Sequence, residues 1–187
     1  MIYTVIGNGE SRKPIDIDKV QGCKIGCNGI YLHNKVDYIC AMDKFWRDKI
    51  EKECNIPLIS RKINQASQMS LQMFSDGKWR NVDCRFRGYC SGITALDFIC
   101  SIANKNDEIY LIGFDFDYTG DKLNHIYKDT KFHPKASRPA QKESVFLKQC
   151  IDTIKRYPRY NIQWVTDSEQ DMGIVSIKIK DYLERVM

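Results

Sequence analysis

A run of glycine and short polar residues follows the first apolar stretch of the chain, at Gly7-Asn8-Gly9-Glu10-Ser11. Two glycines allow a sharp turn that brings the backbone close to a ligand, while Asn8 and Ser11 add hydrogen-bonding side chains. These residue types suit a phosphate-binding turn, and they equally suit a tight turn with a helix cap. The run lacks the GxGxxG spacing that is typical of nicotinamide-cofactor sites.

Two further polar residues follow predicted strands. Asn28 stands between Cys27 and Gly29, and Asp43 follows Met42. Because the carboxyl ends of parallel strands meet at one edge of a sheet, we expect both side chains to emerge near Asn8 and to contact a base and a ribose. An asparagine before a glycine is also ordinary turn chemistry, so this second interpretation of Asn28 stays open.

Ser91 and Gly92 stand immediately before an apolar stretch with helical spacing. The start of a helix offers unpaired N–H groups and the positive end of the helix dipole, and both favour a phosphate. Ser91 is also a common residue type for a plain helix N-cap.

Two acidic residues, Asp115 and Asp117, follow a predicted strand that ends at Ile112. If the chain stays extended there, both carboxylates face one side, where they could bind a divalent ion such as Mg²⁺. Alternatively, Asp115 caps a turn or accepts hydrogen bonds from a ribose.

A polar segment, residues 118–139, has little apolar periodicity and is interpreted as a lid-like loop. A histidine there, His133 or His125, could take a proton from an acceptor hydroxyl, and Tyr118 or Tyr127 could stabilise a leaving phosphate. Its basic residues allow two interpretations: they could bind a polyanionic acceptor such as nucleic acid, or they could belong to a simple solvated loop. They are Lys122, Lys128, Lys131, Lys135 and Arg138.

The elements that would position these residues are strands and helices. Along the chain, short β-branched or aromatic runs, which predict strands, alternate with helix-compatible segments. The predicted strands are Ile2–Ile6, Lys24–Cys27, Asp37–Met42, Pro57–Ser60, Glu108–Ile112 and Asn161–Thr166. The predicted helices are Lys44–Cys54, Gly92–Asn104, Gln141–Tyr157 and Ser176–Val186. Residues 64–87 are interpreted as a β-excursion or an inserted loop, with a hairpin turn at Asp76-Gly77. This order predicts an α/β fold, a mostly parallel sheet with helices on both faces, over residues 1–187 as one domain.

Composition agrees with one globular domain. The 187 residues are 43% hydrophobic and carry a formal charge of +5, which favours a phosphate-bearing ligand but is too small to indicate a nucleic-acid-binding protein. Eight cysteines, none in a CxxC pair, are interpreted as reduced core residues without a structural zinc site. The chain has no signal-like start and no apolar run of membrane-spanning length, so a soluble cytoplasmic protein is expected.

Four of these motifs, taken in order, make the chain resemble the bacterial lipooligosaccharide sialyltransferases and their phage relatives of unassigned function. The motifs are Gly7–Gly9, Cys27-Asn28, Ser91-Gly92 and Ile109–Phe116. The resemblance covers roughly residues 2 to 166. It implies a Rossmann-like fold and a glycosyltransferase that uses a CMP-sugar donor without a required metal or other cofactor.

The resemblance also implies a role for each matching residue. His133 would be the base, and Tyr118 and Tyr127 would assist the departing phosphate. The nucleotide would be held by Asn8, Gly9, Asn28, Ser91 and Gly92, with Asp115 beside it. The tyrosine that follows the Asp-Phe pair in the family is replaced here by Asp117, with Tyr118 one place further on. That departure affects both the assistance to the phosphate and the metal-free mechanism.

Two alternatives remain at this stage. Mg²⁺-dependent phosphoryl transfer of the diphosphokinase type would use Asp115 and Asp117, whereas a non-catalytic nucleotide-binding or sequestering protein would need neither a base nor a metal. The sequence leaves the sugar, the acceptor and the oligomeric state open, including a homo-oligomer.

Overall fold

The computed structural model describes residues 1–61, 71–82, 90–116, 125–127, 143–169, 171 and 173–187. The strands in this part of the chain are β1 (Ile2–Ile6), β2 (Cys23–Cys27), β3 (Tyr38–Cys40), β4 (Leu58–Arg61), β5 (Leu71–Ser75), β6 (Lys78–Asn81), β7 (Glu108–Ile112), β8 (Asn161–Val165) and β9 (Ser176–Ile177). The α-helices are α1 (Lys44–Glu53), α2 (Ser91–Ile102), α3 (Glu143–Arg156) and α4 (Ile179–Val186).

All of these strands belong to one sheet, in the order β6-β5-β4-β3-β2-β1-β7-β8-β9. Seven neighbouring strands pair in parallel, in the order β4-β3-β2-β1-β7-β8-β9. The strands β5 and β6 extend the β4 edge as an antiparallel hairpin. From β1, the chain builds the sheet outward through β2, β3 and β4 and then returns to the other side of β1 with β7. The predicted α/β fold with a mostly parallel sheet is confirmed.

Alternate residues of the central strands belong to two separate apolar clusters. In β1, Val5 belongs to a cluster that contains residues of α2 and α3, whereas Ile6 belongs to a cluster that contains residues of α1 and α4. The same alternation is seen in β7, where Leu111 and Ile112 fall in different clusters. Near-continuous apolar runs are expected for parallel strands that are buried on both sides.

The hairpin between β5 and β6 turns at Asp76 and Gly77, as the sequence predicts. Both residues have positive φ angles, 51° and 71°, which are the conformations that a two-residue type I′ turn requires. The strands occupy only part of the predicted excursion, and its residues 64–70 and 83–87 lie outside the described part of the chain.

The predicted terminal helix Ser176–Val186 is wrong at its start, because Ser176–Ile177 form β9 and the helix begins at Ile179. Main-chain pairing with β8 explains the difference: the Trp164 N–H donates to the Val175 carbonyl at 2.8 Å, and the Thr166 N–H donates to the Ile177 carbonyl at 3.0 Å. These bonds fix an extended backbone that helical periodicity alone does not reveal.

The seven cysteines in the described residues are all free, consistent with the expected reduced state, and Cys84 lies outside that part. Within the same part of the chain, no helix combines the length and apolar character needed to cross a membrane.

Candidate functional site

The turns after β1 and β7 lie directly against each other. The Gly7 N–H donates to the Ile112 carbonyl, and the Gly9 N–H donates to the Gly113 carbonyl, both at 2.8 Å. A β-carbon on Gly7 would overlap the Gly113 carbonyl oxygen, and one on Gly9 would overlap the Asp115 carboxylate. Both glycines are therefore required for this close approach, and their amides already have main-chain partners.

We expect Gly7→Ala to destabilise the protein by about 3 kcal/mol or more, the upper end of the cost of overpacking, because the added methyl group meets backbone rather than a movable side chain. Gly173→Ala is the matched control: its φ is +67° and no atom lies within 4 Å of the added β-carbon, so only the conformational cost of roughly 1–2 kcal/mol remains. Urea denaturation would measure both. Equal or smaller destabilisation by Gly7→Ala would contradict the close approach.

Asp115 connects the end of β7 to the short 3-10 helix Glu10–Arg12 that follows the first turn. The Ser11 N–H donates to Asp115 Oδ2 at 3.0 Å, and the Ser11 hydroxyl donates to Asp115 Oδ1. In this structure Asp115 caps a turn, which is one of the roles that its position predicts. A contact with a ribose stays a prediction.

The predicted pairing of the Asp115 and Asp117 carboxylates stays a prediction, because Asp117 lies outside the described residues. Within them, no group of three or more His, Cys, Asp or Glu side chains is placed to hold a metal ion.

Ser91 joins the ends of β2 and β3 to the start of α2. Its hydroxyl accepts a hydrogen bond from the Met42 N–H at 3.0 Å and lies 3.2 Å from Asn28 Oδ1, to which it donates. Asn28 has a φ of +53°, a left-handed conformation that asparagine tolerates better than most residues. Since the side-chain oxygen of Asn28 accepts a hydrogen bond from Ser91, the side-chain NH₂ group of Asn28 is the part that can donate to a ligand.

Phe114, which follows β7, packs close to both the first turn and the start of α2. Its ring would lie 3.2 Å from a β-carbon on Gly7 and 3.2 Å from one on Gly92. The first turn and the start of α2 therefore converge on the same aromatic side chain.

Asp43 is exposed at the start of α1 and makes no side-chain capping hydrogen bond. It lies near enough to Cys90 to contribute to that thiol's pKa, which is raised mainly by burial and to a lesser degree by the Asp43 charge. Since the N–H of the preceding residue, Met42, donates to the Ser91 hydroxyl, the backbone of Asp43 lies beside the start of α2.

Residues 125–127 lie on the first turn. The Ile126 N–H donates to the Asn8 carbonyl at 2.8 Å, and Tyr127 is 6% exposed. The Tyr127 N–H donates to His125 Nδ1 at 3.2 Å, so this nitrogen is the acceptor and, in the neutral ring, Nε2 carries the proton. The centroid of the Tyr127 ring is 5.7 Å from that of His125 and 6.2 Å from that of His33.

Arg12 is the residue that sequence reasoning missed at this edge. Its Nη1 donates to the Gly7 carbonyl at 2.9 Å, and its guanidinium lies beside Tyr127. Burial raises the pKa of the Tyr127 hydroxyl, and the Arg12 charge opposes that shift. His33 was also missed. The signal for Arg12 was its position directly after the polar turn, whereas nothing in the local sequence of His33 distinguishes it.

The structure thus brings most of the predicted site residues to one edge of the sheet. They are Gly7, Asn8, Gly9, Ser11, Asn28, Asp43, Ser91, Gly92, Asp115 and Tyr127. The predicted base His133, together with Tyr118 and most of the lid-like loop 118–139, lies outside the described residues.

Comparison with known proteins found no matching family model, no matching curated protein and no matching solved structure.

Proposed function

We propose that this chain is a glycosyltransferase-like enzyme that binds a nucleotide sugar at the carboxyl edge of its sheet, around the turns after β1 and β7. We also propose that the fold is Rossmann-like, with helices on both faces. The strand order supports this, because the connections leave β1 in both directions, and ligands of such sheets bind where the order reverses. The two apolar clusters, which contain residues of different helices, support the arrangement of the helices.

One observation carries the proposal: polar side chains that follow the three strands β1, β2 and β7 converge with a serine at the start of α2. Asn28 and Ser91 form one hydrogen-bonded group, and Ser11 with Asp115 forms another. Phe114 packs between the two groups. Side-chain amide, hydroxyl and carboxylate groups are those that recognise a base and a ribose, and the adjacent start of α2 favours a phosphate.

In the proposed reaction, His133 takes the proton of an acceptor hydroxyl, and the acceptor oxygen attacks the anomeric carbon of the donor sugar. The bond from that carbon to the nucleotide phosphate breaks, and the phosphate leaves with its electron pair. Hydrogen bonds from Tyr127 and Tyr118 would stabilise its developing charge. Holding donor and acceptor in line supplies a large part of the rate. By resemblance, the donor is a CMP-sugar.

We expect Ser91→Ala to weaken binding of cytidine monophosphate about 5- to 15-fold, because loss of one neutral hydrogen bond costs about 1–1.5 kcal/mol and Asn28 loses its fixed orientation. Isothermal titration calorimetry would measure the dissociation constants. Ser101→Ala is the matched control, since Ser101 is an exposed serine of the same helix whose hydroxyl donates only to the Phe98 carbonyl. Equal affinities of both variants would remove Ser91 from the site.

The same titration, together with an incubation of donor and acceptors, separates the other classes of function. Binding of cytidine monophosphate that is unaffected by a chelator supports the transferase. Binding that requires a triphosphate and Mg²⁺ would instead favour phosphoryl transfer. A donor recovered intact after incubation with varied acceptors would favour a nucleotide-binding protein without turnover.

A further inference from the structure

Arg12 carries a positive charge into the interior of the protein. It is 5% exposed, although it directly follows the polar residues of the first turn. Burying a charge is costly unless the charge is paired, and arginine cannot lose its proton to escape the cost. An arginine in such a position therefore needs a counter-charge.

No carboxylate supplies that counter-charge among the residues that the structure describes. The guanidinium donates to the Gly7 carbonyl at 2.9 Å, and within the described residues it is influenced electrostatically by the Tyr127 hydroxyl and the Cys27 thiol. The carboxylate of Asp115, an acidic residue of the same site, accepts hydrogen bonds from Ser11 instead. Burial accordingly lowers the pKa of Arg12, the sign of a charge that is desolvated without full compensation.

The position of Arg12 relates it directly to the proposed site. Its hydrogen bond to the Gly7 carbonyl ties the guanidinium to the first turn, and Tyr127 lies close to the guanidinium. The residue before Tyr127, Ile126, is joined to Asn8 of the same turn by a backbone hydrogen bond. An anionic group that displaced the Tyr127 ring would meet both the guanidinium and the freed phenol. Arginine is the side chain best suited to a phosphate, because its donors form a planar fork.

We propose that Arg12 is the counter-charge for the phosphate of the bound nucleotide and makes this site selective for phosphorylated over unphosphorylated nucleosides. This inference rests on the proposed nucleotide-binding function. Arg12, which belongs to none of the four sequence motifs, would then discriminate between a nucleotide and its nucleoside.

The test compares the affinities of cytidine monophosphate and cytidine for four proteins: the wild type, Arg12→Met, Arg12→Lys and Lys13→Met. In the wild type, we expect the monophosphate to bind more tightly. Arg12→Met should reduce that preference about 10- to 100-fold, the value of a charge-assisted hydrogen bond, and Arg12→Lys should reduce it less. Lys13→Met removes one positive charge from the exposed neighbouring residue and should leave the preference within about twofold.

An unchanged preference in Arg12→Met would overturn the inference. If that variant does not fold, as circular dichroism would show, Arg12→Lys decides: an unchanged preference overturns the inference, and a reduced one supports it. Stabilisation by inorganic phosphate, measured as a shift in Tm, distinguishes the two proposals. A wild type that binds neither cytidine compound refutes the CMP-based function. In that case, a phosphate-induced shift in Tm that disappears in Arg12→Met still supports an anion site at Arg12, and absence of the shift in the wild type overturns that site as well.

Discussion

His133→Ala should reduce sugar transfer by about 10²–10⁴-fold while leaving the dissociation constant of the nucleotide within about twofold. The reason is that a positioned base contributes this factor to proton transfer, whereas nucleotide binding is assigned to the edge formed by the β1, β2 and β7 turns. Initial rates with a CMP-sugar and titration with cytidine monophosphate would measure the two effects separately.

His125→Ala is the informative comparison for this experiment. His125 Nδ1 accepts the Tyr127 N–H, so it is already engaged in ordering the 125–127 segment. We expect a loss of less than about tenfold, through the position of Tyr127, which is the scale of one hydrogen bond. Full loss of activity in His125→Ala with normal activity in His133→Ala would show that the base is assigned to the wrong histidine.

Arg156→Met should destabilise the fold by about 3–5 kcal/mol, because it removes the positive charge that is paired with a buried carboxylate. Arg156 on α3 donates from Nη2 to Asp97 Oδ1 at 2.7 Å and to Thr153 Oγ1 at 2.8 Å, and Asp97 on α2 is 1% exposed. The free energy of unfolding from urea denaturation would measure the effect.

Lys155→Met is the matched control, since this exposed residue of α3 lies beside Arg156 in the chain and should change stability by less than about 0.5 kcal/mol. The double variant Asp97→Leu with Arg156→Met removes both charges and should recover most of the loss, because a buried ion pair is often replaceable by apolar residues. A double variant that is less stable than Arg156→Met alone would contradict this explanation.

The central strands were predictable because their burial leaves a direct signature. β1 and β7 agree with prediction at both ends, since continuous apolar runs bounded by glycine or acidic residues indicate parallel strands buried on both sides. The start of the terminal helix was not predictable. Ile177 and Ile179 fit both a helix face and a strand, and only the long-range pairing with β8 decides between them.

The site was predictable where residues follow strands, because the topology of a parallel sheet brings strand ends to one edge. Asn28, Ser91 and Asp115 are examples. The use of the Gly7 and Gly9 amides by the β7 turn was not predictable, because it depends on how closely two turns approach. Arg12 was missed for a related reason: an arginine on a polar turn is normally exposed, and here it is buried next to residues far along the chain, Gly113 and Tyr127.

Titration of the ¹⁵N-labelled protein with cytidine monophosphate tests the central claim most directly. We predict that the largest changes in amide chemical shift fall at the carboxyl edge, on Asn8, Asn28, Ser91, Gly92 and Asp115. Gly22 and Asp107, which lie next to the amino ends of β1 and β7, should be unaffected. Changes concentrated at Gly22 and Asp107, or no changes at millimolar nucleotide, would contradict a nucleotide site at the carboxyl edge.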